Sequence, residues 1–209
     1  QMHAVGGRAV EANKAIGQAL RMQRAIQGQR ATRAAFVLIR CYYHALGVVH
    51  QRRMQGRRDI PLSESGKAEV GAWRLPADLA LCADGAVQWH SSPLRRAIET
   101  AQILSGAPPR EEPALIEMDW GDWEGYGLDE LRQHFGDAFA RNEAAGLDFR
   151  PPGGESPREV RDRIVSWLGG LATRGAPVVA VTHKGVLRAV LAAATGWDMM
   201  GKPPVRLQN

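Results

Sequence analysis

Short apolar runs, separated by turn residues and by stretches of helical period, set the outline of this chain. Phe36 to Ile39 is apolar and stops at Arg40, the signature of a buried strand. After an irregular stretch, Leu62 and Ser63 lead into a helical pattern near 66–80. Val87 to His90 reads as a second strand. Ser92 is placed to cap a helix with Pro93 at its first position, running to about Leu104 before Gly106. Pro113 to Ile116 reads as a short third strand, and residues 127–146 as a broken helix. Ser156-Pro157-Arg158-Glu159 has the form of a capping box. Val160, Ile164, Leu168 and Leu171 follow on one helical face, which Gly175 ends. Pro177 to Val181 is the most apolar strand and runs into Thr182-His183. Gly185 opens a last helix that stops at Gly196, and Val205 to Asn209 could begin one more strand.

Apolar strands without in–out alternation, separated by helices, predict an α/β fold: a mainly parallel sheet flanked by helices on both faces, in a single domain. The expected domain spans residues 34–209, with its C-terminal edge short. Residues 1–33 form a basic extension, either poorly ordered or helical, whose Ile16, Leu20 and Ile26 make only a thin apolar face. Its acid-poor, Arg-rich composition also suits a targeting segment, but it has almost no serine.

Composition narrows the function classes. Apolar residues make up 44% and charged residues 23%, as in ordinary globular proteins. No apolar run reaches the length of a membrane span. Two cysteines, Cys41 and Cys82, do not make a disulfide framework, so a reducing, cytoplasmic setting is expected. The net charge of +5 suggests a nucleic-acid partner until its position is considered. Residues 1–33 hold six Arg/Lys and one Glu, leaving 21 of the 27 basic and 21 of the 22 acidic groups for the rest. The excess therefore belongs to the extension, and neither a nucleic-acid nor a membrane partner is expected.

Ligands of open parallel sheets bind at the carboxyl ends of the strands. At those ends the sequence places Arg40, then His90-Ser91-Ser92 leading to Arg95 and Arg96, then Glu117, then His183. Guanidinium groups bind phosphate oxygens in bidentate fashion, and an imidazole and a carboxyl can carry protons or attack phosphorus. The set suits a small anionic, phosphorylated substrate. Each member also has a plainer role, as a surface arginine, a solvated acid or a satisfied structural histidine; only their convergence on one edge is specific.

These segments resemble the histidine phosphatase (phosphoglycerate mutase-like) superfamily. FVLIR with the later QGRRDIPLSESG is similar to its LIRHGxTxWN…QGxxDxPLTxxG motif, and HSSPLRRAIETAQIL to SSPLxRAxxTAxxL. LIEMDWGDWEG is similar to LxExxFGxWEG, VVAVTHKGVLRAVLA to VxVVSHGGxxRxLLA, and PPGGES to a GGES segment of the phosphatase branch. The resemblance implies that Arg40 and Arg96 hold phosphate, that Glu117 protonates the leaving oxygen, and that His183 holds the transferring phosphoryl group. It implies no cofactor and no metal. It also implies a phosphohistidine intermediate, formed on the histidine that follows the first arginine.

That histidine is replaced by Cys41, and the loop YYHALGVVHQ follows in place of the family's Gly and Thr. Three explanations stand side by side: attack by a Cys41 thiolate, attack by His44 or His50, or a locally scrambled reading frame that leaves an inactive relative able to bind phosphorylated ligands. The expected function is hydrolysis of a small phosphorylated metabolite. Phosphoglycerate mutase is the alternative enzyme, disfavoured because WEGYGLDEL leads quickly to GGES. Trp120 and Trp123 are open to two roles, pocket wall or core packing.

Overall fold

Among the described residues Val178 to Thr182 is buried throughout, and the sheet is assembled around it. The computed structural model describes residues 53–73, 87–171 and 177–204, and the backbone of 36–40. The strands are β1 (Phe36–Arg40), β2 (Gln88–Ser91), β3 (Arg110–Glu111) and β4 (Val178–Thr182). All pair in parallel, in the order β1-β4-β2-β3. The helices are α1 (Glu64–Gly71), α2 (Arg95–Ser105), α3 (Leu128–Glu143), α4 (Pro157–Leu171) and α5 (Lys184–Thr195).

Alternate residues of β4 face opposite layers, as the pleat requires. Val179 and Val181 pack with Ala97 and Ala101 of α2. Ala180 packs with Val160 and Ile164 of α4 and with Val186, Ala189 and Val190 of α5. Helices therefore cover both faces, which is why the strands read as continuous apolar runs. The α/β expectation holds. The extension 1–33, Cys82 and Gly175 lie outside the described residues, as do the end of the 66–80 pattern and Val205–Asn209.

Two local expectations need correction. Pro113–Leu115 is a 3-10 turn, and the short strand lies just before it, with His90 beside Arg110 and Ser91 beside Glu111. Pro113 has no N–H to give a ladder, and the Glu112 carboxylate accepts the N–H of Ala114, which favours the turn. Ser92 does not cap α2. That helix begins at Arg95, after Leu94, and the Arg95 N–H donates to Asp59 Oδ1 at 2.7 Å. The remote aspartate takes the Arg95 N–H, while Ser92 Oγ accepts the Leu94 N–H at 3.3 Å, ahead of the helix, and meets His183.

The capping box at Ser156 is present. The Ser156 N–H donates to Glu159 Oε2 at 2.8 Å, and the Glu159 N–H to Ser156 Oγ at 3.3 Å. The Arg150 guanidinium, helped by that amide, holds the Glu159 carboxyl down at about 2. The break expected in residues 127–146 is a kink at Gly136, whose φ of 46° interrupts α3.

Candidate active site

The parallel register brings the carboxyl ends of the central strands to one level. Arg40 lies beside Thr182, and Ser91 beside Val181, so the chain leaves the sheet at Arg40, Ser92 and His183 along a single edge. Beyond that edge lies a cavity of about 450 Å³. Glu117, His183, Gly185, Gln55 and Gly56 line it, together with an apolar wall that includes Met54, Met118, Trp120, Phe139 and Phe149.

His183 is 1% exposed and sits just ahead of α5. Its Nε2 lies 2.7 Å from Ser92 Oγ, which fixes the ring relative to β2. Glu117 reaches the same cavity from the loop after the Pro113–Leu115 turn. The Thr182 hydroxyl pins that turn to β4 by donating to the Leu115 carbonyl at 2.7 Å. Burial raises the pKa of the Glu117 carboxyl above its ordinary 4.5. The N–H groups of Met118 and Gly185, and the charges of Arg96 and Arg163, pull the other way without cancelling the rise. A carboxyl that holds its proton more tightly than in water is suited to give that proton to a leaving oxygen.

Gly185 is needed for that contact. A Cβ at position 185 would run into Glu117 Oε1 and crowd Met118. Gly185→Ala is therefore expected to push the carboxyl out of place and lower kcat about 10-fold to 100-fold, since small misplacements of reacting groups are costly. Steady-state kinetics at saturating phosphomonoester would check this, with circular dichroism confirming the fold.

Arg96 is 1% exposed and does not line the cavity; it braces the wall. Its two terminal nitrogens donate to the carbonyls of Arg58, at 2.7 Å, and Gly56, at 2.9 Å. These bonds hold the QGRRD segment against α2. Gly56 has φ of 51°, and a side chain there would collide with Glu124, whose carboxylate accepts the Arg57 N–H at 2.6 Å. Arg95 is exposed and faces Glu99 one turn on, a surface role. Trp123 packs in the core with Phe139 and Phe149, while Trp120 lines the cavity and meets Phe149 edge-on, so the two tryptophans divide the two roles.

The backbone of Arg40 is at the site's edge; Cys41, His44 and His50 lie outside the described residues. Glu117 and His183 are thus brought into one cavity, with Arg96 immediately behind its Gly56 wall.

Sequence reasoning missed several contributors. Gln55 lines the cavity at 4% exposure, and its Oε1 has no hydrogen-bond partner among the described residues. Glu155 of the GGES segment accepts from Arg163, at 2.9 Å and 3.1 Å, and from Arg57 at 3.2 Å. Arg163 also donates to the carbonyls of Ala114 and Ile116, and Arg57 to that of Glu117. One carboxylate therefore ties down the two arginines that grip the backbone leading to Glu117. The signal was present, because Gln55, Ser92 and Glu155 all fall inside the quoted motifs, but only tertiary geometry shows what each holds.

Comparison with known proteins adds the family context. The profile of the histidine phosphatase superfamily (branch 1) matches residues 46–209; Arg40 and Cys41 precede the matched stretch. A 2,3-bisphosphoglycerate-dependent phosphoglycerate mutase of Methylobacterium radiotolerans is 32% identical over 166 residues, 74% of this chain and 76% of the relative. A glucosyl-3-phosphoglycerate phosphatase of Mycolicibacterium vanbaalenii is 35% identical over 178 residues, 71% of this chain and 72% of the relative. The solved structure of a mycobacterial glucosyl-3-phosphoglycerate phosphatase superposes with a TM-score of 0.61 at 27% identity, covering 78% of this chain and 82% of that one.

Proposed function

This chain belongs to the histidine phosphatase superfamily, branch 1, and from that premise we propose that it hydrolyses a small phosphomonoester in the cavity shared by Glu117 and His183. The observation that carries the reading is the pairing of a desolvated carboxyl with a buried, hydroxyl-anchored imidazole at the carboxyl edge of a parallel sheet. Glu117 gives its proton to the departing alkoxide. His183 holds the transferring phosphoryl group, and Arg40 and Arg96 add positive charge beside it. Attack on phosphorus comes from the segment carrying Cys41, His44 and His50, which follows Arg40 in sequence. The phosphoenzyme so formed is then hydrolysed by water.

Hydrolysis is preferred to mutase chemistry because the Glu117 loop and the GGES segment are joined directly. The Glu155 N–H donates to the Asp119 carbonyl at 3.0 Å, with α3 and two short 3-10 turns between them in sequence. A second reading, ligand binding without turnover, rests on Cys41 standing where the family has its nucleophilic histidine. Rapid quenching with a radiolabelled phosphomonoester, followed by peptide mapping under neutral conditions, separates these readings. Covalent label within residues 41–52 is expected, abolished by one of Cys41→Ala, His44→Ala or His50→Ala. Inorganic phosphate binding with neither label nor turnover would favour the second reading, and label on His183 would overturn the assignment of roles.

A further inference from the structure

Phosphoryl transfer needs positive charge at the reacting group, and Arg96 gives it only from behind the wall. Both of its terminal nitrogens are engaged by the carbonyls of Arg58 and Gly56, and the residue stays outside the lining. Among the described residues the cavity is lined, besides His183, by the bases Arg53, Lys184 and Arg188 and by the acids Glu117 and Glu143. Arg53 is held by Glu130 and by the Gly125 carbonyl, and Glu143 by Arg132. Arg188, one turn along α5, lies over the ring of Trp197 at 4.8 Å from its centroid, and Trp197 Nε1 donates to the Met200 carbonyl. Lys184 is the lining base nearest in sequence to the imidazole: it follows His183 directly and is the first residue of α5.

Two observations set this lysine apart. The motif that the segment resembles has glycine after its histidine, VSHGG, where this chain reads VTHKG. A cation in the first turn of a helix also opposes the macrodipole, whose positive end lies there, so Lys184 does not serve the stability of α5. It is exposed, and its flexible four-carbon stem with three rotatable donors can follow a bound anion.

We propose that Lys184 is a further catalytic residue, whose ammonium group donates to the non-bridging oxygens of the transferring phosphoryl group beside His183. This rests on the phosphatase reading for the place of that group. Lys184 keeps its protons throughout. As the bond from the nucleophile to phosphorus forms, the ester bond from phosphorus to oxygen breaks. The departing oxygen takes that electron pair and the Glu117 proton, and the equatorial oxygens keep their negative charge against the ammonium.

Calorimetric titration of the full chain with orthovanadate and with inorganic phosphate tests the role whether or not the protein turns over. Lys184→Gln is expected to bind vanadate about tenfold to hundredfold more weakly, the range for losing a charged hydrogen bond. The fall should be larger for vanadate, which mimics five-coordinate phosphorus, than for phosphate. Lys184→Arg, which keeps the charge, should recover part of the affinity. Lys67→Gln, at an exposed lysine of α1 that pairs with Glu64, is the control for net charge and should bind as the wild type does. Removing a cation from the start of α5 should leave the Tm of Lys184→Gln unchanged or raised, which a merely structural lysine would not do. Unchanged vanadate affinity in Lys184→Gln, or an equal fall in Lys67→Gln, would overturn the role; with phosphate still released from p-nitrophenyl phosphate, the phosphatase reading would survive that result. Vanadate binding that depends on Lys184, in a wild type that releases no phosphate from p-nitrophenyl phosphate, would sink the phosphatase reading and leave Lys184 as a ligand of the phosphoryl group.

Discussion

Glu117→Gln is expected to lower kcat by about 10²-fold to 10⁴-fold on alkyl phosphomonoesters, the range for losing a positioned general acid. The amide keeps the shape of the carboxyl and can still accept the N–H groups of Met118 and Gly185, so the fold should be undisturbed. The loss should depend on the leaving group. A poor leaving group such as an alkoxide needs the proton, whereas p-nitrophenolate departs without it, so the defect should shrink on p-nitrophenyl phosphate. A pH profile gives a second signature. Burial raises the Glu117 pKa above 4.5, so the acid is in its working, protonated form below that raised value and loses its proton as pH rises through it. The wild-type kcat should therefore fall on the alkaline side of that pKa, and the fall should be absent in Glu117→Gln. Equal defects on both leaving groups, with an unaltered profile, would remove Glu117 from the acid role.

The second large effect is on stability. Glu155→Ala is expected to destabilise the fold by about 3 kcal/mol, because it leaves the partly buried Arg163 without its carboxylate and takes from Arg57 one of its two, Asp119 being the other. In a chain of this size that corresponds to a fall in Tm of about 6–12 °C. The exposed pair of Arg158 and Asp148 is the control: both partners are well solvated, and Asp148→Ala should leave the Tm nearly unchanged. Because Arg163 and Arg57 hold the backbone of Ile116 and Glu117, the Glu155 variant should also lose activity at temperatures where it remains folded. Thermal melts and kinetics on the two variants check both effects, and similar Tm values for them would refute the role given to Glu155.

The course of the fold was largely legible, because apolar runs such as Pro177–Val181 need burial on both faces and admit few other arrangements. The capping box at Ser156 and the helix stop at Gly196 were legible for a local reason: one or two side chains decide them. Pro113–Ile116 was misread because an apolar run of that length does not separate a strand from a turn; the missing proline N–H and the Glu112 carboxylate decide it. Ser92 was misread because a cap is a competition. Asp59, far away in sequence, supplies the bond to the first residue of α2, and the serine reaches only Leu94 before it, together with His183.

The site divides in the same way. His183 and Glu117 stood out because their residue types and flanking motifs carry the chemistry. Arg96 was read as a phosphate clamp, and the sequence could not show that its terminal nitrogens hold the Gly56 and Arg58 carbonyls. Glu155, Arg163 and Arg57 act through backbone atoms of other segments, and a linear sequence has no signal for that. Arg188 stood in the sequence as the arginine of the last quoted motif; that it stacks on Trp197 became visible only with the turn that carries that tryptophan.

The most direct measurement is the steady-state release of inorganic phosphate from a simple alkyl phosphomonoester by the full chain, beside His183→Ala. Turnover by the wild type, lowered by about 10²-fold to 10³-fold in the variant as expected for losing a group that stabilises transition-state charge, is the result this account requires. No phosphate release by the wild type, or the same rate in His183→Ala, would contradict it.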